Sequence, residues 1–293
     1  MMVVEKNVVK KEDARYPSLL RDISDAPKQL YYKGEWRPEL FEQCLAVVGA
    51  RRMTSYGKKV TEQIAGEVAA AGITIVSGFM YGIDETAHRA AVRAGGKTIA
   101  VMPCGINIIH PEYQADLYRE ITETGGLILS EFAGNFPPAT WTYPKRNRIV
   151  AGLSQATLVV EAGERSGALI TAGFVRKYGR KLFVVPGPIT SPVSRGITQL
   201  LKGGAEVASC ARDILDSYGL PSAQVVAAPN PHALHSDRGN LEGNIVRELA
   251  REPLRIDELA RLLGAPVELL GTTLSLMELA GAVFEEQGKY YAH

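Results

Sequence analysis

Short apolar runs recur through the first two-thirds of the chain, each closed by small or polar residues: LAVVGAR (45–51), ITIVSG (73–78), KTIAVMPCG (97–105), GLILSE (126–131), ATLVVEA (156–162) and KLFVVPG (181–187). Unbroken runs of this kind suit strands buried on both faces, because polar alternation is expected only where one face meets water. The stretches between them carry helical spacing. After Thr54 and Ser55, either of which can cap a helix, Val60, Ile64 and Val68 fall one turn apart until Gly72 ends the stripe. Regular alternation of strand and helix predicts an α/β fold with a doubly wound, mostly parallel sheet and right-handed helical crossovers.

The pattern changes over 216–240, DSYGLPSAQVVAAPNPHALHSDRGN, which is rich in Pro, Ala, Ser and His and has little periodicity. It reads as a linker between a domain over 1–215, with an N-terminal extension, and a small one over 241–293. In the small domain LEGNIVRELA, RIDELARLLG and APVELLGTTLSLMELAG are amphipathic, and AVFEEQGKYYAH turns at Gln287-Gly288. Three helices and a β-hairpin, in that order, make a winged helix. His232 and His235 fall in the linker and make no metal site by themselves.

Composition adds a soluble, globular character: 46% of the 293 residues are apolar, and no apolar run approaches the roughly 18 residues of a membrane span. The formal charge of +1 argues at first against a nucleic-acid partner. From residue 240 onward, however, five basic residues face nine acidic ones, a net −4 that leaves +5 for the rest. The chain is a mildly basic body with an acidic C-terminal module that should avoid DNA. Cys44, Cys104 and Cys210 are too dispersed for a C-x-x-C pair and read as buried thiols of a reducing cytoplasm. The opening MMVVEKNVVKKEDARY mixes charge throughout and lacks the apolar core of a signal peptide, so a cytoplasmic protein is expected.

In an open parallel sheet ligands bind beyond the carboxyl ends of the strands, and here those ends are rich in glycine, which suits an anion. The P-loop pattern nearly occurs at Gly96-Lys97-Thr98, but its first glycine falls on Ala91, and Gly49-Ala50-Arg51 stands where a dinucleotide fingerprint would. What remains is basic and aromatic. Trp141, Tyr143, Lys145, Arg146, Asn147 and Arg148 crowd WTYPKRNRIVAGLS, with Pro144 suited to opening a helix. Such a segment is either a sequence-tolerant single-strand site or a solvated helix start with a structural Arg–carboxylate pair. Arg51 directly follows a strand and is read as a phosphate contact. Ser166 and Gly167 begin a helix, with Thr171 one turn on, either as anion donors or as ordinary capping. Asp84 and His88, four apart on one helical face, are better read as cap and packed neighbour than as an acid/base dyad, since no nucleophile or metal set accompanies them.

Taken in order, VGAR, VSGFMYGIDETAH, PCG, SEF, YPKRNRIVAGLS, VVEAGERSGALITA, VVPG and RGITQLLKGGA resemble the DNA-processing protein A family (DprA, also called Smf) from about Tyr16 to about Asp216. The tail resembles the winged-helix appendage common in that family. The resemblance implies an extended Rossmann-like fold that binds single-stranded DNA, forms homodimers and loads RecA recombinase onto incoming strands in natural transformation, with no cofactor. It places Arg51, Ser77, Gly78, Gly82, Arg146, Asn147, Arg148, Ser166 and Thr171 on a positive pocket, and Tyr143 where an aromatic ring stacks. This chain departs from the family pattern at Phe79-Met80-Tyr81, at His110-Pro111-Glu112 and at Gly196-Ile197-Thr198, which weakens phosphate contact at one edge. The helical domain that often precedes the family core is not expected, with fifteen residues before Tyr16.

The resulting expectation is a non-enzymatic single-strand binder and recombination mediator. The rival is a Rossmann-like nucleotide or sugar-phosphate hydrolase of the lysine-decarboxylase-like phosphoribohydrolase type. The chain lacks its PGG-x-GT-x-x-E signature, and Glu161 is the nearest catalytic carboxylate. A duplex-reading regulator is disfavoured because the third helix of the tail carries Glu268 and Glu278 and no Lys or Arg.

Overall fold

A computed structural model describes residues 7–220, 241–286 and 288–292, and the chain divides into two compact units at residues 225 and 226. The first unit begins with β1 (Val8–Lys10), α1 (Ser18–Arg21) and β2 (Gln29–Gly34). Strands and helices then alternate: β3 (Cys44–Val48), α2 (Ser55–Ala70), β4 (Thr74–Ser77), α3 (Ile83–Arg93), β5 (Thr98–Gly105), α4 (Ala115–Glu123) and β6 (Leu127–Phe132). The second half runs α5 (Thr142–Leu153), β7 (Ala156–Val159), α6 (Gly167–Lys177), β8 (Lys181–Val184), α7 (Arg195–Lys202), β9 (Glu206–Val207) and α8 (Ala211–Leu215).

The sheet order is β1-β2-β6-β5-β4-β3-β7-β8-β9, parallel from β6 to β9 and antiparallel where β2 joins β6 and β1 joins β2. From β3 the chain winds outward to β6, then returns to lay β7 on the other side of β3. That reversal is the topological switch point where a doubly wound sheet opens a crevice. Every residue of β3 is buried, because helices cover both faces: Ala46 and Val48 pack into one apolar layer, Leu45 and Val47 into the other. Thr54, not Ser55, caps α2, its hydroxyl accepting from the Gly57 N–H at 3.1 Å.

The hydrophobic pattern did not reveal β1 and β2, which extend the sheet beyond β6. Tyr31 and Tyr32 lack the continuous apolar run of the buried parallel strands. The linker expected from residue 216 is corrected at its start. Asp216–Tyr218 form a short 3-10 turn, the Tyr218 hydroxyl donates to the Cys44 carbonyl at 2.6 Å, and Tyr218 and Leu220 pack on the core. The rest of that stretch, 221–240 with His232 and His235, lies outside the described residues.

The second unit contains α9 (Leu241–Leu249), α10 (Ile256–Leu263), α11 (Val267–Leu279) and the hairpin β10 (Val283–Glu286) and β11 (Lys289–Ala292). Ile245, Leu259, Leu270, Leu274 and Val283 form its core. Among the described residues no single helix is long and apolar enough to cross a membrane; α10 and α11 pass that test only as a pair bent by 115°.

His88 is fully buried on α3, the packed neighbour that its spacing from Asp84 suggested. The Thr98 hydroxyl donates to the Ile75 carbonyl at 2.8 Å and so accepts the His88 Nδ1–H at 2.7 Å, leaving Nε2 without a hydrogen-bond partner among the described residues. Burial, assisted by the Arg146 charge, holds this imidazole down at about 3. The unfolded chain therefore takes up a proton near pH 6.5 that the folded chain refuses, and stability falls as pH drops from there toward 3, by about 1.4 kcal/mol per pH unit for one proton. Urea midpoints at pH 7 and pH 4.5 should show this slope in the wild type and a shallower one in His88→Asn; equal slopes would assign the acid sensitivity to other groups.

Candidate nucleic-acid interface

Two backbone turns meet at the switch point. After β3, Gly49-Ala50-Arg51 runs against the β4–α3 turn, where Gly82 has φ +87° and a β-carbon on it would lie 2.4 Å from the Ala50 and Arg51 carbonyl oxygens. Glycine is required there twice, for the left-handed backbone and for the close approach. The contact holds Arg51 at the mouth of a cleft of about 740 Å³, which α5 and the start of α6 complete.

Of the residues singled out in the sequence, Arg51, Gly78, Tyr143, Arg146, Asn147, Ser166, Gly167 and Thr171 line this cleft together. Four others do not. Ser77 is buried and its hydroxyl donates to the Val47 carbonyl at 2.6 Å, tying β4 to β3. Gly82 acts through the turn just described. Arg148 is buried, donates to Glu131 Oε1 at 2.6 Å and to the Asp25 carbonyl, and so anchors α5 to β6 and to the N-terminal extension. That is the structural Arg–carboxylate pair left open as an alternative by the segment itself. Lys145 pairs with the other oxygen of Glu131 at 3.3 Å and stands over the Phe132 and Trp141 rings.

Arg146 lines the cleft but is nearly inaccessible. Its Nη1 donates to the Gly78 and Val101 carbonyls and its Nε to Asn147 Oδ1 at 3.2 Å. Burial lowers it to about 10, so it remains a cation at neutral pH. Beside it, burial raises the Asp84 carboxyl while the Arg146 charge pulls the other way. Arg146 thus gives the wall its positive potential while its donors brace the turn.

The reachable charge lies at the rim. Arg51, Arg52 and Arg165 are exposed, all line the cleft, and none makes an ion pair among the described residues. Arg51 stands over the Tyr143 ring at 5.2 Å and the Tyr81 ring at 5.7 Å, while the Tyr143 hydroxyl hydrogen-bonds His110 Nε2 at 2.8 Å. Ser166 caps α6, accepting from the Ala168 N–H at 3.3 Å, and leaves the helix N-terminus facing the cleft. Sequence reasoning passed over Arg52 and Arg165, although one adjoins Arg51 and the other directly precedes Ser166, the cap of α6.

Guanidinium forks around an apolar floor, an aromatic ring and a helix N-terminus can hold phosphates and bases. Glu161 takes no part in the lining. It is buried and accepts from the Thr54 N–H at 2.9 Å and the Thr54 hydroxyl at 2.5 Å, which locks β7 to the start of α2.

Comparison with known proteins agrees with this architecture. The pattern of the DNA recombination-mediator protein A family matches residues 7–219, and that of the DprA winged helix domain matches residues 219–289. Protein Smf of Escherichia coli is 37% identical over 290 residues, covering 94% of this chain and 74% of that protein. DNA processing protein DprA of Bacillus subtilis is 35% identical over 219 residues, 75% of this chain and 73% of that one. The X-ray structure of DNA processing protein A from Streptococcus pneumoniae superposes with a TM-score of 0.67 at 36% identity, covering 72% of this chain and 74% of that one. The corresponding Helicobacter pylori protein, whose structure concerns its single-stranded DNA binding mode, gives 0.63 at 32% identity over 69% and 92% of the two chains. With both domain patterns matched and 37% identity to a relative over 94% of this chain's length, the chain belongs to the DNA recombination-mediator protein A family.

Proposed function

We propose that the chain binds single-stranded DNA in the switch-point cleft and, as a homodimer in the cytoplasm, loads RecA recombinase onto incoming strands during natural transformation. The observation that carries the reading is the convergence of Arg51, Arg52 and Arg165, exposed and without ion pairs among the described residues, on one cleft that Tyr143 also lines. Tyr143 offers a ring to a base, and the α6 N-terminus offers N–H groups to a phosphate. The single-strand binding of the Helicobacter pylori relative supports it. Two such sites in a dimer raise apparent affinity through effective concentration.

The same reading makes the chain a binder and not an enzyme. For the hydrolase rival, the carboxylate it needs is committed to Thr54. The winged-helix unit is assigned to protein contact, since α11 exposes Leu269, Leu276 and Leu279 beside Glu268 and Glu278 and carries no base.

Salt titration of oligo-dT, duplex and mononucleotide binding tests this. Oligo-dT should bind most tightly, with log K falling against log salt by about 0.7 for each phosphate held. Equal affinity for duplex, or tight salt-insensitive binding of the mononucleotide, would refute it.

A further inference from the structure

Beside the cleft stands an aromatic cluster that neither the fold nor the cleft requires. Phe132, at the end of β6, stacks on Phe136 with ring centroids 4.6 Å apart and planes 10° apart. Trp141 meets both edge-on, at 5.7 and 6.0 Å. Phe136 is 37% exposed and Trp141 51% exposed, although burial is the ordinary fate of such rings. Lys145, which the sequence placed among the phosphate ligands, holds its ammonium 5.1 Å from the Phe132 ring centroid and 5.7 Å from that of Trp141.

The cluster is also held rigidly. The N–H groups of Gly105, Ile106 and Asn107 donate to the carbonyls of Phe136, Phe132 and Gly134, binding the loop after β6 to the end of β5. The Thr142 N–H and hydroxyl both donate to the Ala139 carbonyl, fixing the turn on which Trp141 sits. Rings kept half in water by a fixed frame are preorganised for a planar ligand, and little conformational entropy is lost when one lands.

We propose that Trp141, backed by Phe132 and Phe136, is a second base-stacking platform. It would receive a nucleobase of the strand as it leaves the cleft, with Lys145 meeting the adjoining phosphate. Continuity argues for nucleic acid: Thr140 and Tyr143, on either side of Trp141-Thr142, both line the cleft, so the platform begins one residue from its wall. Charge argues the same way, since among the described residues the cation over these rings is a half-exposed lysine that can turn from Glu131 to a phosphate. Two part-exposed rings are also too small a patch for a stable protein interface, which covers roughly 800 Å² on each partner.

The platform rests on the reading of the cleft as a single-strand site, and the test separates the two. Loss of one stacked base should weaken oligo-dT binding by Trp141→Ala roughly 5- to 150-fold, with Trp141→Phe recovering most of it. An abasic oligonucleotide of the same length should bind wild type and Trp141→Ala alike. Trp36 and Trp141 are the two tryptophans of the chain, so in Trp36→Phe the emission reports Trp141, and oligo-dT but not the abasic strand should quench it. Wild-type affinity in Trp141→Ala while Arg51→Glu/Arg165→Glu loses binding would overturn the platform and leave the cleft standing. Wild-type affinity in both variants would remove both. Equal losses toward oligo-dT and the abasic strand would make Trp141 a structural brace, and a shift to a smaller oligomer in Trp141→Ala would make the patch an interface between copies; either result overturns the proposal.

Discussion

Exchanging Arg51 and Arg165 together for glutamate should lower affinity for oligo-dT by two to four orders of magnitude. Each guanidinium–phosphate hydrogen bond is charge-assisted and contributes on the order of 1.5–3 kcal/mol, so losing two removes about 3–6 kcal/mol before any repulsion from the new carboxylates. The slope of log K against log salt should become shallower by about 1.4, the share of two single-strand phosphates. Neither side chain is buried or ion-paired among the described residues, and Arg51 loses only its stacking over Tyr81 and Tyr143. Fold stability should therefore stay within about 1 kcal/mol of wild type. Filter binding at several salt concentrations, beside a urea denaturation curve, reads both quantities. Unchanged affinity in a folded double variant would place the DNA elsewhere.

Much of this architecture is legible in the chain because parallel strands leave a strong trace. Six unbroken apolar runs mark β3 to β8, and their glycine-rich ends mark the crevice. The antiparallel additions leave a weak trace: β2 buries only Leu30 and leaves its other positions half-buried or exposed, and β1 is three residues long, so neither stands out from a loop. Within the site the sequence places the residues but not their directions. Arg146 and Arg148 are two apart on α5 and therefore point to different sides of the helix, one toward the cleft, the other toward Glu131 and Asp25. Nothing in YPKRNR distinguishes the arginine that braces from one that reaches solvent; burial decides, and burial depends on β4, β5 and the N-terminal extension. Arg52 and Arg165 were hidden for the opposite reason. They are ordinary exposed arginines until the fold brings residues 52 and 165 to the same rim.

Removal of the Arg146 head group should cost more stability than any rim change costs. In Arg146→Met the Gly78 and Val101 carbonyls lose their shared donor, and Asp84, whose carboxyl burial already raises, loses the cation that opposes that penalty. A β-carbon at Gly78 would lie 2.4 Å from Arg146 Nη2 and 2.6 Å from Asp84 Oδ2, so the two head groups flank that one backbone position. Stranding one member of a buried charged set costs on the order of 3–5 kcal/mol, and urea midpoints should fall accordingly. Arg148→Met should cost less, because Lys145 remains 3.3 Å from Glu131. If the penalty in Arg146→Met comes from the stranded carboxylate, Asp84→Asn in the same chain should restore part of it, because an amide is cheaper to bury without a cation. A double variant no more stable than Arg146→Met alone would place the cost in the two carbonyls instead, and wild-type stability in Arg146→Met would refute the brace. The consequence for binding follows from the same contacts. Gly78 opens the turn that leads to Gly82, and Gly82 packs on the Arg51 carbonyl, so a guanidinium that itself has no need to touch DNA sets where the rim arginine stands.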